Sequence, residues 1–281
     1  MTDAAPLPIP TIDHVVVNVR DRLDTAAEAY RRLGFTLTPR GYHSLGSMNH
    51  LAIFGTDYLE LIAARPGDAG RADIMGAPEG LNGLVFYSED GAATHAALAR
   101  QGVEAAPPLQ FSRPVDLADG PRDATFRTVH LAARPSGLGR LYFCQHLTRD
   151  LVWRDEWRHH ANGALGVARH VIGARDPGAL AALFARAFGA DAVRAVAGGH
   201  SLAAGLARVE ILTPETIAAR FGDAVGDGGG RSEYMAALTL RTQSLDKAAA
   251  ALAGVPGVRC EDARVLVPAS AAFGCALEFV A

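Results

Sequence analysis

GYHSLGSMNHLAIFGTDYLELIA, residues 41–63, places His43, Asn49 and His50 ahead of an alternating apolar run with one charged interruption, Glu60. A carboxylate set among Leu59, Leu61 and Ile62 is costly to bury without a partner, so a single such glutamate reads as the exposed residue of a half-buried strand. Recurrence changes that reading. The same apolar-Glu-apolar ending returns in ARVEILTP with Glu210 and in CALEFVA with Glu278. Residues 41–63 are therefore read as the closing strands of a unit that repeats.

The rest of the unit lies upstream. IDHVVVNV reads as a strand, with His14, Val16 and Asn18 on one face and Val15, Val17 and Val19 on the other. A helix follows, with Asp21 as candidate cap, Leu23, Ala26, Ala27 and Tyr30 as its apolar stripe and Gly34 as its stop. FTLTPRG, HLAIFG and DYLELIA are then the strand candidates. The order strand, helix, strands recurs behind caps at Asp90, Asp176 (with Pro177 at the first helical position) and Ser244. The spacing from Asp21 to Asp90 nearly equals that from Asp176 to Ser244, and the longer gap between the pairs holds TRDLVWRDEWRHHANGA. Four units in two halves are expected, 11–147 and 165–281 joined by 148–164, because one short unit cannot cover both faces of its own sheet. The fold class is α+β: four βαβββ units paired into two cupped mixed-sheet halves, helices outside and concave faces free for a ligand.

Composition narrows the function classes. The chain has 281 residues, 49% of them hydrophobic, and a net charge of −3, with 27 Lys and Arg against 30 Asp and Glu. Such a balance offers no footprint for nucleic acid. No apolar run reaches the ~20 residues that span a bilayer, and MTDAAPLPIPTID lacks the basic and apolar segments of a secretory signal. A cytoplasmic address and no membrane partner are expected. Cys144, Cys260 and Cys275 form no CxxC pair and read as buried free thiols rather than disulfides or a zinc knot.

On neighbouring strands of one cup, His14 and Glu60 can converge, and in the second half the equivalents are taken as His170 and Glu210. A histidine and a carboxylate so placed can hold a divalent metal or act as general acid and base on a small substrate. At this point the residues resemble a known family. The βαβββ order, IDHVVVNVRD, the helix ending RRLGF, GYHSLGSMNH and DYLELIA are similar to the vicinal oxygen chelate (VOC) superfamily, specifically its glyoxalase-like branch. The resemblance implies a metal-dependent lyase, isomerase or oxygenase, dioxygenases included, acting on a small organic molecule. A non-catalytic protein that binds or sequesters such a molecule is the alternative.

Carried over position by position, the resemblance puts the metal (Fe, Mn, Ni or Zn, or none) on His14 and Glu60. Glu60 and His43 are then the candidate catalytic groups, and Asn49, His50 and Asn18 the candidate substrate contacts. His170, Glu210 and Glu278 form a rival site in the second half. Neither half is complete: the remaining slots fall on Gly83 and Tyr142 in the first and near Met235 or Ala236 in the second. This disfavours a lactoylglutathione lyase with four protein ligands and an extradiol dioxygenase, and leaves completion to water or to a residue such as His146. His200 matches His50 by distance to the glutamate and His43 by local motif, and both pairings stay open. A small-molecule substrate is the expected partner, with a homodimer allowed.

GHSLA, residues 199–203, resembles a nucleophile elbow around Ser201, but no histidine follows it and LARVEILTP beyond it reads as a strand, not a long helix. GDGGGRS lacks the Lys-Ser or Lys-Thr of a phosphate loop and reads as a flexible linker. Trp153, Arg154, Trp157, Arg158, His159 and His160 concentrate in the segment between the halves and are read as a staple, with a lid or an extra ligand as the alternative.

Overall fold

The computed structural model describes residues 6–65, 67, 69–117, 120–133 and 137–281. The opening MTDAA, part of the reading that no secretory signal is present, lies outside the described residues.

The first half runs β1 (Ile12–Asn18), α1 (Leu23–Arg32), β2 (Gly41–Tyr42), β3 (Ser47–Ile53), β4 (Tyr58–Ala64), α2 (Ala72–Met75), β5 (Gly80–Tyr87), α3 (Gly91–Arg100), β6 (Leu109–Val115), β7 (Arg122–His130) and β8 (Arg140–His146). The second runs β9 (Ala164–Ala174), α4 (Pro177–Phe188), β10 (Val193–Val196), β11 (Gly199–Ala204), β12 (Ala207–Leu212), α5 (Pro214–Phe221), β13 (Glu233–Thr242), α6 (Leu245–Ala251), β14 (Arg259–Glu261), β15 (Arg264–Val267) and β16 (Ala276–Val280). Each half makes one eight-stranded sheet, ordered β2-β3-β4-β1-β5-β8-β7-β6 and β10-β11-β12-β9-β13-β16-β15-β14. The orders are the same, unit for unit. In both sheets the first strands of the two units pair antiparallel at the centre, and each is flanked by the parallel last strand of its own unit.

Local chemistry explains most of the boundaries. The Asp90 carboxylate accepts from the amides of Ala92 and Ala93, Asp176 from Gly178 and Ala179, and the Ser244 hydroxyl from Lys247, each satisfying amides that the first helical turn leaves open. Asp21 departs from expectation. Arg22 holds the cap position of α1 without a side-chain bond, and the chain enters the helix through a left-handed turn at Arg20 (φ 55°). FTLTPRG is a strand only at its last residue, Gly41. Phe35 leaves it for the core, and Thr38 N–H donates to the Leu51 carbonyl at 2.9 Å. Ser201 lies mid-strand in β11 opposite Glu210, so no elbow forms there. Cys144 and Cys275 are buried as expected, whereas Cys260, in the short edge strand β14, is exposed.

The convex faces of both sheets, with the helices between them, form one continuous core. Val15, Val17, Leu59 and Leu61 of the first half belong to the same cluster as Ile172, Val209, Leu240 and Leu277 of the second. Phe184 and Phe188 of α4 pack on Phe86 (centroids 5.9 and 4.8 Å apart), and Phe35 lies 6.2 Å from Phe279. The intervening segment staples this contact: His160 accepts from Thr36 N–H and bonds the Ile53 carbonyl, and Asn162 donates to the Leu33 carbonyl. The two cups consequently open away from each other. No helix among the described residues is long and apolar enough to cross a membrane.

Candidate active site in the first cup

Alternation along six strands points His14, Asn49, Glu60, Arg113, Thr128 and Tyr142 into one cavity of about 340 Å³ inside the first cup. β1 departs from strict alternation. Its register against β5 shifts between Ile12 and His14, so Asp13 is the extra residue of a bulge. Ile12 thereby joins the convex core with Val15, while Asp13 turns toward the cup beside His14.

The bulge supplies the carboxylate on which the site rests. Asp13 Oδ1 lies 2.5 Å from His14 Nδ1 and 2.9 Å from His146 Nε2. Burial raises its pKa, but the charge of His146 and the hydrogen bonds from His14 and His146 outweigh this and hold it well below the usual carboxylate range. An ionised carboxylate only accepts, so His14 Nδ1 carries the proton and Nε2 presents its lone pair to the cavity. There the Tyr142 hydroxyl donates to it at 3.2 Å, and Glu60 Oε2 stands 3.8 Å away. Tyr58 stacks under the His14 ring at 4.3 Å.

Glu60 is held in the same manner. Asn49 Nδ2 donates to its Oε1 at 2.7 Å and lies 3.4 Å from His43 Nε2, while His43 Nδ1 donates to Ser47 Oγ at 2.8 Å. Burial raises the Glu60 pKa, and the attraction it feels whenever His43 or His14 is protonated, together with the Asn49 bond, brings it below the ordinary value. Burial pushes His43 down to about 4, with Arg113 acting in the same sense against the pull of Glu60, so His43 is neutral at physiological pH and can accept the Asn49 amide. A side chain on Gly41 would collide with Asn49 Oδ1 and sit 2.9 Å from Arg113 Cδ, so glycine at the start of β2 is what lets both residues reach the cavity.

Two sequence candidates lie elsewhere. His50, one residue from Asn49, takes the opposite face and donates from Nδ1 to the Thr38 carbonyl at 2.8 Å. The Asn18 amide donates to the carbonyls of Ile74, Ala77 and Pro78, tying α2 and the turn after it to the end of β1. Neither lines the cavity. The linker tryptophan reaches the site as a support, with Trp153 edge-on to Tyr58 and His146 and the Arg149 guanidinium stacked on its ring at 3.4 Å.

Asp13, Arg113, Arg140 and Arg71 were not singled out from sequence. For Arg113 and Arg140 a signal existed: LQFSRPV alternates Leu109, Phe111, Arg113 and Val115, and GRLYFCQHL alternates Arg140, Tyr142, Cys144 and His146. Asp13 sat in an apolar strand, but only the bulge turns it toward the cup.

The second cup is built on the same strands and closed. Glu210 pairs with Val171 across β12 and β9, as Glu60 pairs with Val16, so the counterpart of His14 is Arg169 and not His170. The one-residue slip puts His170 on the convex side, where it is fully buried and both ring nitrogens lack a partner. His170, Glu210 and Glu278 are thus not brought together. Arg220 of α5 donates to Glu210 and Glu278, both at 2.7 Å, Arg264 and Thr239 donate to Glu278, and Ile217 and Phe221 fill the cup. The guanidinium occupies the place a cation would take.

Burial pushes the His170 pKa down to about 3. The unfolded chain therefore takes up a proton near pH 6.5 that the folded chain refuses, and stability falls as pH drops from about 6.5 toward 3. His170→Leu should raise stability at pH 7 by about 1–2 kcal/mol, the cost of two unpaired ring nitrogens. It should also shrink the loss between pH 7 and 5 by about 2 kcal/mol. Urea unfolding at both pH values reads the two effects, and an unchanged acid slope would show that His170 is solvated.

Two donor sets can be tested for a divalent metal. His14 Nε2 and Glu60 Oε2 are buried and face one another, and the other nitrogen or oxygen of each is already fixed by Asp13 or Asn49, the support that metal-binding side chains require. The Tyr142 oxygen lies beside them; Tyr142 pairs with Val85 as Glu60 pairs with Val16, so the counterpart of His14 on β5 is Gly83, which offers no donor, and that of Glu60 on β8 is the Tyr142 phenol. The set offers a metal two firm ligands, His14 and Glu60, with the remaining positions open to water and substrate and the protonated Tyr142 phenol beside them. Asp13, Cys144 and His146 form a second possible set, with ligand atoms within 4.8 Å of one another. They could take a cation only by giving up the bonds that orient His14.

Among solved structures, the chain resembles a hypothetical protein from Staphylococcus aureus at 13% identity, over 97% of this chain and 99% of that one, with a TM-score of 0.65. It also resembles a xylose isomerase-like TIM barrel/4-hydroxyphenylpyruvate dioxygenase fusion protein (17% identity, TM-score 0.54), covering 90% of this chain and only 40% of the fusion. A mutant of 4-hydroxymandelate synthase from Streptomyces coelicolor is 15% identical, with a TM-score of 0.52, over 94% of this chain and 78% of the other. At these identities the likeness concerns the fold alone. No curated protein matches the chain by sequence. The glyoxalase-like domain profile matches residues 12–188, well over half of the chain, and with two paired-βαβββ cupped sheets the protein belongs to the glyoxalase-like domain family of the vicinal oxygen chelate superfamily.

Proposed function

We propose that the protein is an enzyme whose first cup, within residues 11–147, carries out a lyase, isomerase or oxygenase type of reaction on a small organic molecule. The second cup, within 165–281, supports it. The observation that carries this reading is the facing pair His14 Nε2 and Glu60 Oε2, buried at the floor of the cavity with their outer atoms tied down by Asp13 and Asn49. Stability alone would not select such a pair, since burying it costs more than an apolar replacement. A divalent metal held by His14 and Glu60 would polarise substrate oxygens. The chain's own groups do the rest: Asp13 keeps the lone pair of His14 aimed at the cavity, Asn49 keeps Glu60 ionised and aligned, and Tyr142 holds a proton at its phenolic oxygen within reach of His14. His43, kept neutral by burial, lines the cavity and is the candidate to take up a substrate proton at Nε2, where its contact is the Asn49 amide at 3.4 Å.

The second reading is a binding protein without turnover, favoured by Gly83 and Tyr142 at the positions where two further ligands would complete a four-residue set. Elemental analysis of protein purified without chelator separates the two. The enzymatic reading expects bound metal near one equivalent, a rise in Tm on adding Mn²⁺, Fe²⁺, Ni²⁺ or Zn²⁺ to stripped protein, and loss of both in Glu60→Gln and His14→Ala. No bound metal and no Tm response would decide against it.

A further inference from the structure

The cavity carries more positive charge than its own acids neutralise. Among the described residues, Arg71, Arg113 and Arg140 line it with Glu60 and Asp73 as the acids. Arg71 spends its charge on Asp73 in two bonds of 2.9 Å, and Glu60 is engaged by Asn49 and faces His14. Arg140 reaches the already paired Asp73 only at 3.6 Å and leaves Nε and Nη2 buried without a partner. Arg113 is 4% exposed, and its Nε and Nη2 have no partner either. The Thr128 hydroxyl in the same wall is likewise unpaired. A guanidinium buried without a partner is among the most costly arrangements a fold can hold, and a planar fork of donors matches an oxyanion in two parallel bonds.

We propose that Arg113 and Arg140 form an oxyanion subsite that seats the carboxylate or phosphate of the substrate and orients the rest of the molecule toward His14 and Glu60. The apolar body of that substrate is flat. Phe111 and Phe126, stacked at 5.4 Å, and His130 and Tyr142, stacked at 4.3 Å, line the same cavity as the two guanidinium groups, so the pocket offers ring surfaces to a planar group. The substrate class is a small aromatic or otherwise planar organic acid. Arg113 is a binding residue in this assignment, and its cost in the empty protein is offset only when the anion arrives.

The inference rests on the first cup being the active cavity, but binding alone reads it out. Metal-stripped protein is titrated with phenylacetate, with phenyl phosphate and with neutral phenylacetamide, by calorimetry and thermal shift. At least one anion should bind tenfold or more tighter than the amide, with a rise in Tm, and whichever does so identifies the group. Arg113→Met should abolish the preference while its own ligand-free Tm stays at or above that of wild type, because an unpartnered charge is removed. Arg140→Gln should weaken the same anion at least fivefold and serves if Arg113→Met does not fold. Equal binding of anion and amide, absence of binding by both anions, or an anion preference that survives both substitutions would overturn the proposal. Anion binding that persists while the protein never retains metal would remove the enzymatic reading and leave this one standing.

Discussion

Asp13→Asn should destabilise the protein by about 3 kcal/mol at pH 7, the usual cost of taking one partner out of a buried charged network. Asp13 is 1% exposed and its Oδ1 receives hydrogen bonds from two imidazoles on different strands, β1 and β8. An asparagine oxygen carries no full charge, and its amide would press a donor against ring N–H groups or the Arg149 guanidinium, which stands 3.9 Å from Oδ2. The folded carboxyl titrates well below the ordinary range, so the sign of its pH dependence is determined. Its contribution is complete above about pH 4 and drains as pH falls further, because the unfolded chain takes up the proton first. Urea unfolding at pH 7 and pH 3 should show the variant losing less on acidification than wild type. The same substitution should lower affinity for a divalent metal 10–100-fold by freeing the His14 ring. A stability change under 1 kcal/mol with unaltered metal uptake would mean that neither histidine depends on this carboxylate.

Arg220→Met should cost about 2–3 kcal/mol, for the opposite reason from Arg113→Met. Arg220 bridges Glu210 and Glu278 at 2.7 Å each, and Glu278 is 3% exposed. Removing the bridge leaves two carboxylates facing each other with Arg169 at 3.8 and 3.6 Å and Arg264 at 3.2 Å as remaining partners. Those partners, and the partial exposure of Arg220 itself, keep the loss below that of a fully buried pair. Burial raises the Glu278 pKa, and the Thr239 bond with the Arg220 and Arg264 contacts brings it below the ordinary value. The deficit should therefore shrink below about pH 4.5, where wild-type Glu278 loses its advantage. Adding Glu210→Gln to Arg220→Met should recover part of the loss, and a double variant no more stable than the single one would deny that the two are coupled.

The contrast between the halves explains how much of the site was legible. His14, Asn49, Glu60 and His43 were readable because each lies within one unit, where alternation over a few residues decides the face. His50 and Asn18 share the chemistry of those residues but not their place: one alternates away from the cavity, and the other is consumed by carbonyls of the segment around α2. The His170 assignment rested on matching histidine to histidine, whereas pairing with β12 matches His14 to Arg169. Nothing in ARHVIGA distinguishes the two, because register depends on the partner strand.

What the sequence determined by itself was local and periodic: four βαβββ units in two halves, the apolar faces that become one core, three of the helix caps, and the glutamate that closes each of three units. What only the tertiary structure decided was long-range. A bulge at Asp13 turns a carboxylate into the first cup, α5 and Arg220 close the second, and Arg113 and Arg140 converge from β6 and β8 on a cavity whose other wall is β1 to β4. These depend on strand register and on side chains meeting across dozens of residues. No local pattern encodes such meetings, since a shift of one residue reverses every face while leaving the sequence pattern unchanged.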